Sequence, residues 1–289
     1  MQMQVKYNLP AQLVDMGGMP VKQAIPTQKV AQFDPFLLLH HAEIQAYSDR
    51  PARTQGIGPH PHRGFSPVTF VIEGEVHHRD SFGNNKVAKA GEVQWLNAGA
   101  GIIHSERPSE QLAQADGHQE IIQLWINSPA VHKMDVPQYY HLPENEMPVF
   151  TSVDAKLVSS LVAGEYLGKK TKIKTNFPMT ILWAKGTAGA NENYELNPEF
   201  STALYLIKGK AQLKGYGPVE AESLVIFEEG GSHLALSLKE DSQFLILSAQ
   251  AIKEKIEHYG PYVMNNQTQI LEAMRDYQMG KMGILIEDD

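Results

Sequence analysis

Short runs of β-branched and aromatic residues, separated by turn-forming residues, recur through the first part of the chain. Residues 66–72 read Ser-Pro-Val-Thr-Phe-Val-Ile, and residues 92–96 and 121–126 have the same character. Glycine and asparagine cluster between these runs, for example at residues 81–86. No helical period of useful length occurs before residue 130. The pattern predicts an all-β unit of many short strands, which is typical of a sandwich or barrel.

A proline-rich stretch at residues 128–148 predicts a linker between two domains. We place the domain boundary at residue 135. Residues 1–135 then form an N-terminal β domain, and residues 136–289 form a C-terminal domain.

The second half of the chain repeats the strand pattern of the first. Residues 202–213 echo residues 68–78, and residues 223–227 echo residues 92–96. This internal similarity predicts a second copy of the same β unit. In the echo, His233 takes the position of His104, and Ala235 takes the position of Glu106. We therefore expect the second copy to be structural.

The C-terminal part of the chain changes from strand to helix periodicity. In residues 265–280, Ile270, Leu271, Met274 and Tyr277 fall on one helical face. Asn265 or Asn266 can cap the start, and Gly280 can end the helix. A shorter helix is predicted at residues 251–258. We expect these helices to lie at the periphery of the second domain.

Composition excludes several classes of protein. The chain has 289 residues, 42% hydrophobic and 20% charged, with a formal net charge of −8. No basic run suggests capture of DNA or of a membrane surface, and no apolar run is long enough to span a bilayer. The first twenty residues lack the apolar core of a signal peptide. We expect a cytoplasmic monomer that binds neither nucleic acid nor membrane.

Two pairs of metal-ligand residues stand at the ends of residues 58–106. His60 and His62 form one pair, and His104 and Glu106 form the other. In an extended chain, residues i and i+2 point to the same side, so neighbouring strands can aim all four side chains at one point. The chain has no cysteine, so any metal site must use imidazole and oxygen ligands.

Three imidazoles and one carboxylate suit a divalent metal with open coordination positions, which favours a catalytic site over a closed structural one. Fe(II) in an approximately octahedral shell would leave two positions open, and Mn, Ni, Co, Cu or Zn could compete because affinity alone does not select among them. A His-x-His pair alone is a weak motif, and a purely structural β protein without metal is the alternative.

The remaining histidines have structural or surface readings. His40 and His41 are adjacent on a predicted strand, so they cannot both face one site. The same argument allows at most one of His77 and His78 to face a cavity. We expect the other four to lie at the surface: His118, His132, His141 and His258.

Several motifs together resemble the pirin family over essentially the whole chain. They are Asp34-Pro-Phe-Leu-Leu-Leu39, Pro59-His-Pro-His-Arg-Gly-Phe65, Glu73-Gly-Glu75 with His78-Arg79-Asp80, residues 93–106 and residues 260–265. The resemblance implies a bicupin, with two β-sandwich barrels and metal, usually iron, in the N-terminal barrel only. It also implies His60, His62, His104 and Glu106 as the metal ligands. Ser66 departs from the family, in which many members carry glutamate there.

Several pirins resemble quercetinases, which open a flavonol ring with dioxygen. The resemblance therefore implies a flavonol-like substrate, with the metal as Lewis acid and Glu106 as both ligand and proton acceptor. We expect a pocket lined by Phe65, Val68, Trp95 and Ile102. The alternative is a non-catalytic, iron-binding regulatory protein that acts through metal-dependent contacts with a protein partner.

Overall fold

The computed structural model describes residues 1–287, which are mostly β-strand. The α-helices are α1 (Glu110–Gln114) and α2 (Gln267–Gln278), and short 3-10 helices occur at Ala52–Thr54, Ala130–His132 and Glu144–Glu146. Strands up to the middle of the chain are β1 (Val5–Pro10), β2 (Gln12–Asp15), β3 (Pro20–Ile25), β4 (Phe36–Gln45), β5 (Ile57–His62), β6 (Phe65–Glu73), β7 (Glu75–Asp80), β8 (Asn85–Lys89), β9 (Val93–Asn97), β10 (Ile102–Arg107), β11 (His118–Asn127) and β12 (Gln138–Leu142). Strands in the remainder are β13 (Val149–Thr151), β14 (Leu157–Tyr166), β15 (Lys169–Lys170), β16 (Met179–Gly186), β17 (Asn191–Glu195), β18 (Ser201–Lys208), β19 (Lys210–Leu213), β20 (Gly217–Glu220), β21 (Ser223–Phe227), β22 (His233–Leu238), β23 (Ser242–Ala249), β24 (Glu257–Tyr259) and β25 (Tyr262–Met264).

These elements form two compact units, and each contains a β-sandwich. The first barrel comprises residues 14–21, 36–143 and 252–287, and the second comprises residues 1–13, 22–35 and 144–251. The predicted all-β architecture with two sandwiches is confirmed. The units are not contiguous in sequence, so they differ from the predicted division at residue 135.

In the first barrel, a large antiparallel sheet faces a small one. The central strands of the large sheet have the order β12-β9-β6-β11-β4, and the small sheet has the order β5-β10-β7-β8. Val71 and Ile121 of the large sheet pack with Val76 and Ala88 of the small sheet in one apolar cluster. Because successive side chains of a strand point to opposite faces, Val71 lies on the same face of β6 as Thr69, and Ile121 lies on the same face of β11 as Gln123.

The second barrel repeats this arrangement. Its large sheet has the order β1-β21-β18-β23-β16-β14-β13, and its small sheet has the order β17-β22-β19-β20. The strand order matches that of the first barrel, with β21, β18, β23 and β16 in the places of β9, β6, β11 and β4. The predicted internal repeat is therefore confirmed at the level of topology.

The segment predicted as a linker contains a strand of the first barrel. Within residues 128–148, β12 pairs antiparallel with β9 from Gln138 to Leu142. Prolines flank this strand rather than interrupt it, and as an edge strand it loses no internal ladder bond to them. The proline-rich composition alone therefore did not predict the strand in this connection.

The predicted C-terminal helix is confirmed, and its position is corrected. Helix α2 begins after Asn266, whose side chain accepts a hydrogen bond from the Gln269 N–H at 3.0 Å. It packs on the first barrel, where Ile270 and Ala273 cluster with Ile103 of β10. Leu271 is 60% exposed, contrary to expectation. No helix forms at residues 251–258, where irregular chain leads into β24.

Candidate metal centre

Strands β5 and β10 bring the predicted histidines together. In their antiparallel register His104 is paired with His60, and Ile102 is paired with His62. One ring nitrogen from each of the three imidazoles lies within 4.8 Å of the others. The Nε2 atoms of His60 and His62 are 3.1 Å apart. Nitrogens bound to one metal at about 2.1 Å would be about 3.0–3.4 Å apart, so this spacing fits a shared ligand.

The three imidazoles are largely removed from water. His62 and His104 are buried, and His60 is half-buried. Burial lowers the pKa of His62 and His104 well below 6.5, and the charge of a protonated His60 would lower both further. Both rings are therefore neutral near pH 7, which is the form that binds a metal.

Two of the imidazoles each have a ring nitrogen that can bind a metal. The carbonyl of Gly58 accepts from His60 Nδ1 at 2.8 Å, which leaves Nε2 with its lone pair. His104 Nε2 is buried and has no hydrogen-bond partner among the described residues. Buried polar atoms are normally satisfied, so these inward-facing nitrogens fit a bound cation. The histidine cluster therefore passes the chemical test for a metal site.

Glu106 lies beside this cluster but does not join it. Its two carboxylate oxygens accept hydrogen bonds from Thr69 Oγ1 at 2.6 Å and from Gln123 Nε2 at 2.8 Å. An irregular register between His104 and Glu106 interrupts the pairing of β10 with β5. Of the four predicted ligands, the structure thus groups the three histidines and places the buried Glu106 carboxylate in the neighbouring hydrogen-bond network.

A row of polar side chains crosses the interior face of the large sheet near Glu106. Thr69 is paired with Gln94 and with Gln123, and Gln123 is paired with His40. Paired residues of antiparallel strands share a face, so all four point into the barrel. No sequence motif marks Thr69 and Gln123, although both interrupt strongly apolar strands. That interruption is the signal that could have found them.

His40 is part of this interior row rather than of the surface. It is 6% exposed, and desolvation lowers its pKa from 6.5 to about 4. Its neighbour His41 lies on the opposite face, where its Nε2 is 2.8 Å from the buried carboxylate of Glu120. The buried contact of His41 agrees with the predicted structural role, whereas the interior position of His40 was not predicted.

Two of the four residues predicted to line the pocket lie at the site. The Phe65 ring is 5.0 Å from that of His62, and Ile102 shares the face of His104 on β10. Val68 and Trp95 are paired with each other on the opposite face from Thr69 and Gln94. Side chains alternate along a strand, so these two cannot line the same interior. The prediction was wrong for Val68 and Trp95.

The remaining histidines follow the predicted pattern with one exception. His78 faces the cluster, since its Nδ1 lies 3.4 Å from His104 Nδ1, whereas His77 contacts the exposed Asn85. His118, His132 and His258 have exposed surroundings. His141 is partly buried against Glu92, at 2.7 Å, so it is not a free surface residue.

The second barrel lacks the cluster, for a reason that differs from the predicted one. The pair Leu234 and Tyr194 takes the place of His104 and His60, and the pair Leu236 and Leu213 takes the place of Glu106 and His78. The echo through His233 and Ala235 is thus one residue out of register. A one-residue slip turns a side chain to the other face of the sheet. His233 faces away from the apolar core, which contains Leu234 and Leu236.

The fold and the site define a protein of two similar β-barrels, of which one carries a buried cluster of three histidines. Within the described residues, neither helix has the length and apolar character needed to cross a membrane. The class is therefore a double β-barrel protein with a candidate metal centre in one barrel.

Comparison with known proteins places this class in a family. The model of the pirin family matches residues 18–126, and that of the pirin C-terminal cupin domain matches residues 184–283. Human pirin is 31% identical over 276 residues, which cover 92% of this chain and 89% of that protein. The chain belongs to the pirin family, and its two barrels are cupin domains.

Solved structures agree with this assignment. The crystal structure of quercetin 2,3-dioxygenase from Acinetobacter baumannii has a TM-score of 0.90 and 31% identity, covering 99% of this chain and 100% of that one. The bacterial pirin YhhW from Escherichia coli, in complex with nickel(II), has a TM-score of 0.68 at 20% identity, covering 85% of this chain and 99% of that one. The second likeness concerns the fold alone.

Proposed function

We propose that this protein is a metal-dependent dioxygenase that acts on flavonol-like substrates, with quercetin 2,3-dioxygenase as the model activity. The observation that carries the proposal is the buried cluster of His60, His62 and His104, with inward-facing ring nitrogens and Glu106 beside it. The match to a solved quercetin 2,3-dioxygenase over 99% of the chain supports the choice of reaction.

The three histidines would hold the metal, for which we propose iron(II). The nickel complex of the Escherichia coli pirin supports metal binding in this fold and makes nickel a second candidate. A bound divalent metal would supply Lewis acidity toward the hydroxyl and carbonyl oxygens of the substrate. Phe65 and Ile102 offer apolar surface next to it for an aromatic ring.

Glu106 would accept the proton of the flavonol hydroxyl. The substrate O–H bond breaks as a carboxylate O–H bond forms, and the substrate reacts with dioxygen as the flavonolate. Thr69 and Gln123 each donate to one carboxylate oxygen, which orients the group. A carboxylate has further lone pairs on both oxygens, so these two contacts leave room for a proton. A positioned general base typically contributes about 10²–10⁴-fold in rate.

Oxygen consumption tests this proposal. Metal-free protein would be loaded separately with Fe(II), Ni(II), Mn(II), Co(II), Cu(II) or Zn(II) and mixed with quercetin under air. We expect turnover well above that of free metal with at least one ion. Glu106→Gln should reduce kcat by about 10²-fold or more, and His233→Ala, which removes a histidine of the second barrel that faces away from its apolar core, should have no effect.

The proposal is wrong if no metal gives turnover above the free ion with quercetin or related flavonols. Metal-bound but inactive protein would instead favour the alternative of a regulatory binding protein.

A further inference from the structure

Two buried residues next to the histidine cluster, His78 and Asp80, have no part in the function described so far. Both lie on β7, where Asp80 is paired with His104 and His78 is paired with Glu106. His78 is 2% exposed and Asp80 is 3% exposed. Burying a carboxylate costs free energy unless it is fully hydrogen-bonded, so the hydrogen-bond partners of Asp80 indicate its role.

Asp80 is held as an acceptor. Its Oδ1 accepts from the backbone N–H groups of Phe82 at 2.9 Å and of Asn84 at 3.0 Å. Its Oδ2 accepts from the Asn84 side-chain amide at 2.8 Å. Donors therefore occupy both oxygens, and an ionised carboxylate is the form that accepts from all of them. The His78 Nε2 atom, 3.0 Å from Oδ2, must then carry the proton and donate it.

The proton on His78 Nε2 determines which atom donates in the contact between His78 and His104. A neutral imidazole carries one N–H, so a His78 that donates through Nε2 presents a lone pair at Nδ1. His104 Nδ1 lies 3.4 Å from that lone pair and is the atom that can donate to it. His104 then keeps its lone pair on Nε2, the same atom that is buried without a partner among the described residues.

The plane of His78 is fixed from the side. The Tyr139 ring stacks on it with a centroid distance of 4.1 Å and an interplanar angle of 12°. The stacked Tyr139 ring holds the plane of His78, and the contacts of Nε2 with Asp80 and of Nδ1 with His104 determine which edge of the ring faces each residue.

We propose that Asp80 and His78 are positioning residues, which form the relay Asp80–His78–His104 and set His104 as the Nδ1–H tautomer with Nε2 free to bind a metal. The relay rests on metal binding at the site of the proposed function, but the tautomer is a property of the metal-free chain as well. Residues that orient a metal-bound histidine typically change metal affinity by about 10–100-fold.

Substitutions can separate this role from packing. His78→Leu removes the acceptor for His104, whereas His78→Asn keeps an oxygen near the position of Nδ1. Asp80→Asn replaces the acceptor at Nε2 with a group that can donate, which favours the opposite tautomer of a histidine. His77→Leu is the control, because His77 is the neighbour on the other face of β7 and contacts the exposed Asn85.

Metal affinity is the first readout, measured for Co(II) and Zn(II) by competition with a chromophoric chelator. We expect the Kd to rise about 10–100-fold in His78→Leu and Asp80→Asn, to stay within a few-fold of the parent in His78→Asn, and to stay unchanged in His77→Leu. Equal affinity for the parent, His78→Leu and Asp80→Asn would overturn the proposal.

The tautomer itself is the second readout, and it needs no folded variant. Long-range ¹H–¹⁵N spectra of metal-free, ¹⁵N-histidine-labelled parent protein at pH 8 should show Nδ1–H for His104 and Nε2–H for His78. An Nε2–H tautomer at His104 would overturn the relay even if metal binds. Correct tautomers without metal binding would instead contradict the proposed function and leave the relay intact.

Discussion

The two barrels share one strand order, yet their interiors have opposite chemical character. Across the large sheet of the first barrel, four paired inward-facing residues are polar: Gln94, Thr69, Gln123 and His40. The paired residues at the same places in the second barrel are Val225, Leu204, Ile246 and Leu182. All four belong to one buried apolar cluster. The fold therefore does not require a polar row.

The facing small sheets show the same contrast. His60, His104 and Glu106 of the first barrel correspond by register to Tyr194, Leu234 and Leu236 of the second. Tyr194 is buried in the apolar cluster, and its hydroxyl is 2.7 Å from Ser159 Oγ. Burying polar groups costs free energy unless each one is paired. In the first barrel, Thr69 and Gln123 are paired with the carboxylate of Glu106, so the polar interior is a property of this barrel and not of the fold.

Removal of a histidine from the cluster should have the largest effect, because it takes away a proposed metal ligand. His104→Ala leaves two imidazoles, and we expect metal affinity to fall by more than about 100-fold, beyond the range for orienting residues. Metal analysis after dialysis against a weak chelator measures this. The matched change Leu234→Ala should leave the metal content of the protein unchanged. Full metal content in His104→Ala would break the comparison.

A polar side chain placed in the interior of the second barrel should lower the free energy of unfolding. Ile246→Gln places an amide where Gln123 lies in the first barrel, but its surroundings are the apolar side chains of Leu182 and Leu204. We expect a loss of about 3 kcal/mol in the free energy of unfolding, from the unpaired amide and the lost packing. Urea unfolding measures it, with Glu240→Gln at an exposed position just before the same strand as a conservative control. A loss under about 1 kcal/mol would show that the second interior tolerates polarity.

The pH dependence of stability should identify the polar row. The pKa of His40 is about 4 in the fold and 6.5 when unperturbed, so the unfolded chain binds a proton first as the pH falls. The neutral, buried His40 therefore contributes fully to stability above pH 6.5. This contribution is lost as the pH falls from 6.5 to about 4, at about 1.4 kcal/mol per pH unit. His40→Leu, which copies Leu182, should reduce the slope by that amount in metal-free protein. Unfolding at several pH values tests it, and an unchanged slope would contradict the assignment.

A small effect is expected at the position that corresponds to His60. Tyr194→Phe removes the hydroxyl that meets Ser159 and should cost about 1 kcal/mol. Metal content and turnover should not change. A change in either one would mean that the second barrel takes part in the chemistry.

Much of the architecture could be predicted because strand patterning is local. Turn residues and alternating apolar runs located most strands, and the i, i+2 spacing located the three histidines that meet. The place of β12 and of helix α2 depends on packing between distant segments, which periodicity does not report. The echo through His233 failed because a repeat in sequence fixes strand order but not register to one residue.

The supporting residues of the site were harder to predict. Thr69 and Gln123 meet Glu106 from two other strands, so no spacing along the chain connects them. His40 and His41 are adjacent, and only the register with Gln123 shows which one faces the interior. The resemblance to pirins gave His60, His62, His104 and Glu106 as ligands. The structure groups the three histidines and leaves coordination by Glu106 as a prediction.

Anomalous diffraction from crystals of the metal-loaded protein, measured at the absorption edge of the metal, tests the central claim most directly. We expect one peak per chain, within about 2.0–2.2 Å of a ring nitrogen of each of His60, His62 and His104, and no peak beside Tyr194. A peak outside the histidine cluster, or none at all in protein soaked with iron, nickel or zinc, would contradict the account.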